Sequence, residues 1–508
     1  MSEPEPAEPP EGSPLAARMA RGTAVQQGAL GVAIVTGLIS TTALARSLSL
    51  AEFGVYGFVV ALAGYLYFVI GTAEAAAVNE MAAAKDRHHL DLAFTRSVMV
   101  YTVFGILAGL TIAVGGALLV GVLDISPALA RQGRLGAVAI GVLTATGWTA
   151  KVFQDFLRAT HRFSTAGVCE AVGNVLVCAG VVTLLVVDAP LWCVIAAGGA
   201  LPLWVGLSAV AVVTVSGLGC TLRPREVRSA EIRSFLKFSG GMLVIGSSDL
   251  VINSLDRTVV GVLRGAPALA LYEAASKLNL LVRAWASNLS ITIFPVLSTL
   301  RANDDRDRER DLLVLGTRYI LAATVGPTVT LMVLSKPLLE VWLGDRYVAA
   351  APTAVVFLAM WLVAPNLSIA GTLVAVTRRL RQLTIYSWAM AGVNLALSVA
   401  LTAWLGLIGV AIGPPVAFIA LIPYFVSFAF KGRDVSVSDF MRAAWITAYG
   451  LGAILALVLI AARLAFPLDH VWSVLGVALA GVAGYWAAFL VFVLDEGERA
   501  LVRTIVRR

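Results

Sequence analysis

Once the long apolar stretches of this chain are read as membrane spans, its cations gather on one side. Of the 38 lysine and arginine residues, 28 lie in segments on that side, 7 on the opposite side and 3 inside spans. The crowded side includes Lys85, Arg87 and Arg96, the run from Arg223 to Lys237, and the run from Arg301 to Arg318. The sparse side has only Arg46, Arg131, Arg134, Arg264, Lys336, Arg346 and Arg463. Cytoplasmic loops of membrane proteins retain Lys and Arg, so the split places both termini in the cytoplasm. It also constrains the number of crossings, because one span more or fewer would invert every later loop and erase the asymmetry. Fourteen crossings satisfy it.

A helix needs about 20 apolar residues to cross a bilayer. The predicted spans run at about 24–45, 55–78, 97–120, 135–154, 165–187 and 191–215, then at about 239–263, 267–297, 313–335, 348–376, 383–404 and 407–430. A last pair follows at about 442–462 and 471–494. Charged residues make up 14% of the chain, against about 25% in soluble proteins. Little sequence is left for a soluble domain, and the net charge of +7 reflects loop topology, not a nucleic-acid partner. The first apolar run is too long for a signal peptide and reads as a retained span.

The expected fold is all-α and polytopic, with two six-helix lobes and a C-terminal helix pair. Residues 1–17 form an acidic, Pro-rich tail, 18–218 the first lobe, 219–237 a basic cytoplasmic linker, 238–433 the second lobe, and 434–508 the extra pair with a basic tail. Six is even, so both lobes start on the same side, as parallel repeats related by an axis along the membrane normal. The corners after the first and seventh spans echo each other. Each places an arginine (Arg46, Arg264) eight to ten residues before a tyrosine (Tyr56, Tyr272) that opens the next helix.

Ionisable groups inside a membrane cost about 2.5–3.5 kcal/mol each on insertion scales, so they face a cavity or a partner. The seventh and eighth spans concentrate them. Asp249, Asn253 and Asp256 make one polar stripe at helical spacing, and Arg257 follows. Glu273 and Lys277 stand at i, i+4 with the acid first, the favourable order for a pair, and Arg283 lies further on. Arginine binds phosphate in bidentate fashion, so Arg257, Lys277, Arg283 and Asn253 are candidate contacts for a phosphate-bearing cargo. Asp249, Asp256, Glu273 and Glu74 are candidate ion-coupling groups or ion-pair partners. The competing reading is internal ion pairing that holds helices together. Glu170 and Asn174 share a face of the fifth span, while Lys151, Asp155 and Arg158 read as a solvated inner end of the fourth.

Four cysteines without C-x-x-C spacing read as buried free thiols. The histidines fall in predicted loops without metal-ligand spacing. No phosphate-cradling loop, nucleophile constellation or zinc motif is present, so no cofactor, metal or enzymatic activity is expected. The short outer loops argue in the same direction against a membrane glycan-processing enzyme.

Several segments resemble a known family in order along the chain. Leu48-Ser49-Leu50-Ala51-Glu52-Phe53-Gly54-Val55-Tyr56 resembles the first corner, Leu-Gly-x-x-x-Tyr/Phe-Gly-x-Tyr, of the polysaccharide (O-antigen) flippases of Wzx type. These belong to the multidrug/oligosaccharidyl-lipid/polysaccharide (MOP) exporter superfamily. Asp256-Arg257, the run Tyr272-x-x-Ala275-Ser276-Lys277, and Phe294-Pro295-Val296-Leu297-Ser298 resemble its seventh and eighth spans. Leu343-Gly344-x-x-Tyr347-x-x-Ala350-Ala351-Pro352 resembles the loop before its tenth span, and Asn394-Leu395 with Gly406-Leu407-Ile408-Gly409 its eleventh-to-twelfth hairpin.

The resemblance implies two six-helix lobes around a central cavity and alternating access. It also implies an undecaprenyl-diphosphate-linked oligosaccharide as cargo, in a bacterial inner membrane, with glycan polymerase or assembly partners. Two alternatives come with it. One is lipid II flipping, since lipid II flippases of the superfamily also carry an extra helix pair, although their first span is basic and this one is uncharged from Thr23 to Ala45. The other is a cation-coupled multidrug exporter.

Overall fold

A computed structural model describes residues 14–291, 297, 306–377, 380–430, 444–494, 496, 498 and 499. The acidic tail through Ser13, most of the Phe294–Ser298 motif, the segment 431–443 and the basic end from 500 onward lie outside the described residues, as do the side chains of Asp249 and Asn253. No strand occurs among the described residues. The helices are α1 (Pro14–Ser47), α2 (Leu50–Ala82), α3 (Arg87–Val120), α4 (Pro127–Ala159), α5 (Phe163–Val186), α6 (Leu191–Gly198), α7 (Leu201–Val215) and α8 (Ser229–Ile291). They continue with α9 (Arg306–Leu343), α10 (Ala351–Val363), α11 (Ser368–Val376), α12 (Leu380–Leu405), α13 (Leu407–Ala429), α14 (Ile446–Ala465) and α15 (Val471–Phe492).

Among the described residues, eleven helices are long and apolar enough to cross a membrane, or up to twelve when the bent pair α6–α7 counts as one. The expected sixth span is therefore two helices at 53° to each other, with Gly199, Ala200 and Pro202 at the break. The expected tenth span is also interrupted, by a 3-10 turn over Ala364–Leu367 that contains Pro365. The arms of α8 are not among the eleven, so the expected fourteen crossings are not reached by length and apolarity among the described residues. Apolar side chains elsewhere face outward. On α3, Val103, Leu107, Leu110, Val114 and Leu118 form one exposed stripe at helical spacing, which only a lipid environment leaves unpenalised.

The chain divides into two compact units. One comprises Met1–Leu250 with Gly265–Pro267, the other Val251–Arg264 with Ala268–Arg508. In the first, α4 is the hub on which α2, α3, α6 and α7 pack. Gly109 of α3 and Gly141 of α4 meet so closely that a Cβ on either would overlap the other's carbonyl, the small-residue contact that lets membrane helices approach. Trp148, Val152, Phe156 and Leu157 fill the core beside them. The corner motif has a local reason. Ser49 and Glu52 form a capping box, in which the Ser49 N–H donates to Glu52 Oε2 at 2.9 Å and the Glu52 N–H donates to Ser49 Oγ at 3.3 Å. Gly54 lies against the backbone of Ala266, where a Cβ has no room.

The residues after α7 are tied down. The Thr221 N–H donates to Asp91 Oδ1 at 3.1 Å, and the Arg223 N–H donates to Thr95 Oγ1 at 3.0 Å. Arg96 bridges Glu80 at 2.6 Å and Glu231 at 2.9 Å. Burial under this clamp pushes the Cys220 thiol up to about 11. Asp86 caps α3 by accepting from the His89 N–H at 2.9 Å, a bond that holds its carboxyl below the usual carboxylate range. Of the four free cysteines only Cys169 and Cys178 are buried; Cys193 and Cys220 are partly exposed.

In the second unit α9 is the hub for α10, α14 and α15, and α12 pairs with α13. Gly406 starts α13 at φ 69° and ψ −144°, a combination open to glycine alone. The extra helix pair packs through Leu455, Leu459 and Tyr485 onto Leu321 and Val325 of α9. The break between α10 and α11 is closed from α14. Asn366 Nδ2 donates to the Leu362 and Val363 carbonyls at 3.1 and 2.9 Å and to Tyr449 Oη at 2.8 Å, while Tyr449 Oη donates to the Leu362 carbonyl.

Candidate substrate-binding site

The two arms of α8 fold back on each other because Gly265 leaves the helical region, at φ 78° and ψ 177°. A side chain there would be strained, so the glycine sets the hinge. The fold-back brings Arg257 of the first arm to Glu273 of the second, with Nε 2.6 Å from Oε1. The Arg257 guanidinium also stands 6.0 Å from the centre of the Tyr272 ring, which meets Phe357 edge-on at 5.5 Å. Glu273 is buried and Arg257 about a quarter exposed.

Asp256 and Lys277 flank this pair. Asp256 is buried beside Ser398 of α12, and among the described residues its Oδ1 accepts no hydrogen bond. Lys277 is half-buried one turn beyond Glu273 and feels both Glu273 and Arg257. Among the described residues it makes no salt bridge or hydrogen bond of its own. Arg283 is half-buried six residues further along the same arm. Neighbouring helices hold both arms in place. Asn394 Nδ2 donates to the Ile252 carbonyl at 3.5 Å, and Trp361 Nε1 donates to Asn279 Oδ1 at 2.6 Å. Arg264 donates to the Thr402 and Ala403 carbonyls at the end of α12 at 2.7–2.9 Å. The sequence does not mark Arg264, Trp361 or Asn279 as supports of this site, because their partners come from remote helices.

Glu74 does not belong to this group. It lies in the first unit, in a network across α2, α4 and α5. Lys151 Nζ is 2.6 Å from Glu74 Oε2, Arg158 pairs with Glu74, and Arg158 Nη2 is 3.4 Å from Glu170 Oε2. Asp155 lies between the two cations, 3.8 and 3.6 Å away, and accepts from Tyr101 Oη at 2.7 Å. Lys151, Asp155 and Arg158 were expected at a solvated helix end. Instead Asp155 is fully buried and the other two are largely covered, because α2 and α5 carry the acids that meet them. Asn174 Nδ2 donates to the Glu170 carbonyl at 2.9 Å. No metal-holding cluster occurs among the described residues.

The polysaccharide biosynthesis protein family matches residues 43–352, more than half of the chain. The chain belongs to this family. The resemblance read from the corner motifs is borne out at that level.

Solved structures share the fold of this polysaccharide biosynthesis protein. A lipid II flippase MurJ in an inward closed conformation aligns with a TM-score of 0.67 at 15% identity, covering 91% of this chain and 98% of that one. An inward-facing multidrug resistance MATE family transporter of the MOP superfamily aligns at 0.62 and 14%, covering 78% and 94%. The MATE multidrug transporter DinF-BH aligns at 0.58 and 12%, covering 87% and 100%. No curated protein matches the chain.

Proposed function

We propose that this protein carries an undecaprenyl-diphosphate-linked oligosaccharide from the inner to the outer leaflet of a bacterial inner membrane. It would do so by alternating access, for surface polysaccharide assembly, with both termini in the cytoplasm. The observation that carries the reading is the α8 cluster, which joins a paired arginine (Arg257 with Glu273) to a lysine, Lys277, with no ion pair among the described residues. A diphosphate offers several anionic oxygens that an arginine fork can take two at a time. On arrival it competes with Glu273 for Arg257. The displaced carboxylate then lies one helical turn from Lys277, where the i, i+4 geometry gives it a new partner. Asp256 is the candidate carrier of the coupling proton or cation beside them, and Asp249, at helical spacing from it in sequence, is a second candidate. Driving force comes from that gradient or from a polymerase that consumes the product. The family's description, polysaccharide biosynthesis, supports this cargo class, and no enzymatic step is invoked.

The test is leaflet exposure of lipid-linked glycan in cells depleted of the protein, read with an outside-acting probe. The proposal expects one glycan lipid to accumulate in the inner leaflet while lipid II exposure stays normal. Loss of lipid II exposure would replace it with the lipid II reading. Unchanged exposure of both lipids, with hypersensitivity to cationic drugs, would replace it with the exporter reading. Arg257→Ala should abolish glycan exposure in protein that still inserts.

A further inference from the structure

Away from α8, the second unit has two adjoining cavities at the ends of α9 and α14. The lower one, about 580 Å³, is an apolar groove between α9, α10 and α14, lined by Met332, Val348, Pro352, Val355 and Ile460 among others. The upper one, about 420 Å³, lies where α9 ends and α14 turns into α15, and it carries Glu340, Asp345 and Asp469. Lys336 and Arg463 line both, so two cations mark the boundary between the apolar and the acidic compartment. Both volumes fall within the about 300–1,000 Å³ of small-molecule sites.

The sequence of environments is apolar, cationic, anionic. Arg463 is set in place by donating from Nη1 to the Val333 carbonyl at 3.2 Å. Otherwise these five charged side chains are not paired with each other: among the described residues none of them forms a salt bridge. Exposed Phe466 lines the upper cavity, and exposed Trp472, three residues after Asp469 in the chain, is a residue type that settles at the membrane–water boundary. An amphiphile seated here puts a chain in the groove, an anionic group at Lys336 and Arg463, and a cationic group among the three carboxylates.

We propose that this is a binding site for an aminophospholipid of the bilayer. Its phosphate rests on Lys336 and Arg463, its ammonium lies among Glu340, Asp345 and Asp469, and one acyl chain fills the groove. Charge complementarity selects this occupant. An anionic lipid without an ammonium leaves the carboxylates facing its headgroup unanswered. A polyprenyl diphosphate adds negative charge where the wall is already negative. The site is separate from the α8 cluster and does not depend on the cargo assigned to it.

The experiment uses the full-length protein in detergent, stripped of lipid and offered an equimolar mixture of phosphatidylethanolamine and phosphatidylglycerol with identical chains. Retained lipid is counted by native mass spectrometry. The expected result is a phosphatidylethanolamine preference of about tenfold, equivalent to about 1.4 kcal/mol. Lys336→Glu with Arg463→Glu should remove most retention of either lipid. Glu340→Gln with Asp345→Asn and Asp469→Asn should keep retention but abolish the preference. Equal retention by the unaltered protein, or a preference that survives the triple substitution, would overturn the proposal. So would displacement of the phospholipid by stoichiometric undecaprenyl diphosphate. Because the lipid competition is run on the unaltered protein, it decides the matter even if a variant fails to fold.

Discussion

The two units each hold a cluster of charges within the membrane, and they use those charges differently. In the first, Glu74, Lys151, Asp155, Arg158 and Glu170 come from α2, α4 and α5, and each cation has carboxylates within 4 Å. Charges contributed by three helices and answered by one another tie those helices together. In the second, Asp256, Arg257, Glu273 and Lys277 all belong to α8, and among the described residues the salt bridge within this group joins Arg257 to Glu273. Asp256 Oδ1 accepts no hydrogen bond among the described residues, as Asp155 Oδ1 of the first cluster also does not, so the two clusters differ in their ion pairs and not in their carboxylate oxygens. Charge in a low-dielectric interior is tolerated only when compensated. On the function proposed above, the first cluster is scaffold and the second is the cargo site.

The comparison can be broken most directly at Glu74. Removing it takes from Lys151 and Arg158 the carboxylate they share and leaves them Asp155 at 3.8 and 3.6 Å, and breaking a buried pair by deleting one partner costs up to about 3–5 kcal/mol. Glu74→Ala should lower the unfolding temperature in detergent more than any single change in the α8 cluster. If it unfolds no earlier than Lys277→Met, the scaffold reading of the first unit is wrong. Gly265→Ala comes next, because the backbone there lies in a region that costs a non-glycine residue about 1–3 kcal/mol. Its loss of stability should be accompanied by lost glycan exposure, since the fold-back brings Arg257 to Glu273.

A double-mutant cycle sharpens the second cluster. Arg257→Ala alone leaves Glu273 buried and unpaired, at about 1–3 kcal/mol. Adding Glu273→Ala should recover part of that in thermal unfolding, by a coupling energy of about 0.5–3 kcal/mol, while glycan exposure stays lost. Recovery of transport along with stability would make the pair purely structural. Lys277→Met should lower stability less than Arg257→Ala, because Lys277 makes no salt bridge among the described residues, yet stop transport. The smallest effect is chemical. With its thiol pushed up to about 11 by burial, Cys220 is protonated at pH 8 and should react slowly with thiolate-directed reagents. Asp91→Asn, which loosens the Thr221 contact, should speed that labelling, and an unchanged rate would mean that the clamp does not cover the thiol.

Much of the fold was legible because it follows from local rules. The last pair was expected at about 442–462 and 471–494, and α14 and α15 occupy Ile446–Ala465 and Val471–Phe492. Apolar length needs no neighbours to be read. The corner motifs were also legible, since a capping box at Ser49 and Glu52 and a positive φ at Gly406 are properties of a few consecutive residues. The sixth span misled because α6 and α7 together are apolar enough for one crossing, and hydropathy does not register a 53° bend. Asp155 misled for a different reason. Its place near a helix end predicted water, whereas the acids and the tyrosine that enclose it lie on α2, α5 and α3.

By itself the sequence determined the class of this molecule, its helical content and the sidedness expected of its loops. Each depends on sums over residues, the apolar length of a segment and the count of cations beside it. It also marked α8 as the place where charge enters the membrane. The tertiary structure decided which of those charges are already answered. Pairing depends on distances of 3–4 Å between helices far apart in sequence, and a chain of letters does not contain them. That is why Glu74 and Glu273, both intramembrane glutamates on paper, end up in different roles. One is held by two cations from another helix, and the other by Arg257 of its own helix, which the proposed diphosphate would take from it.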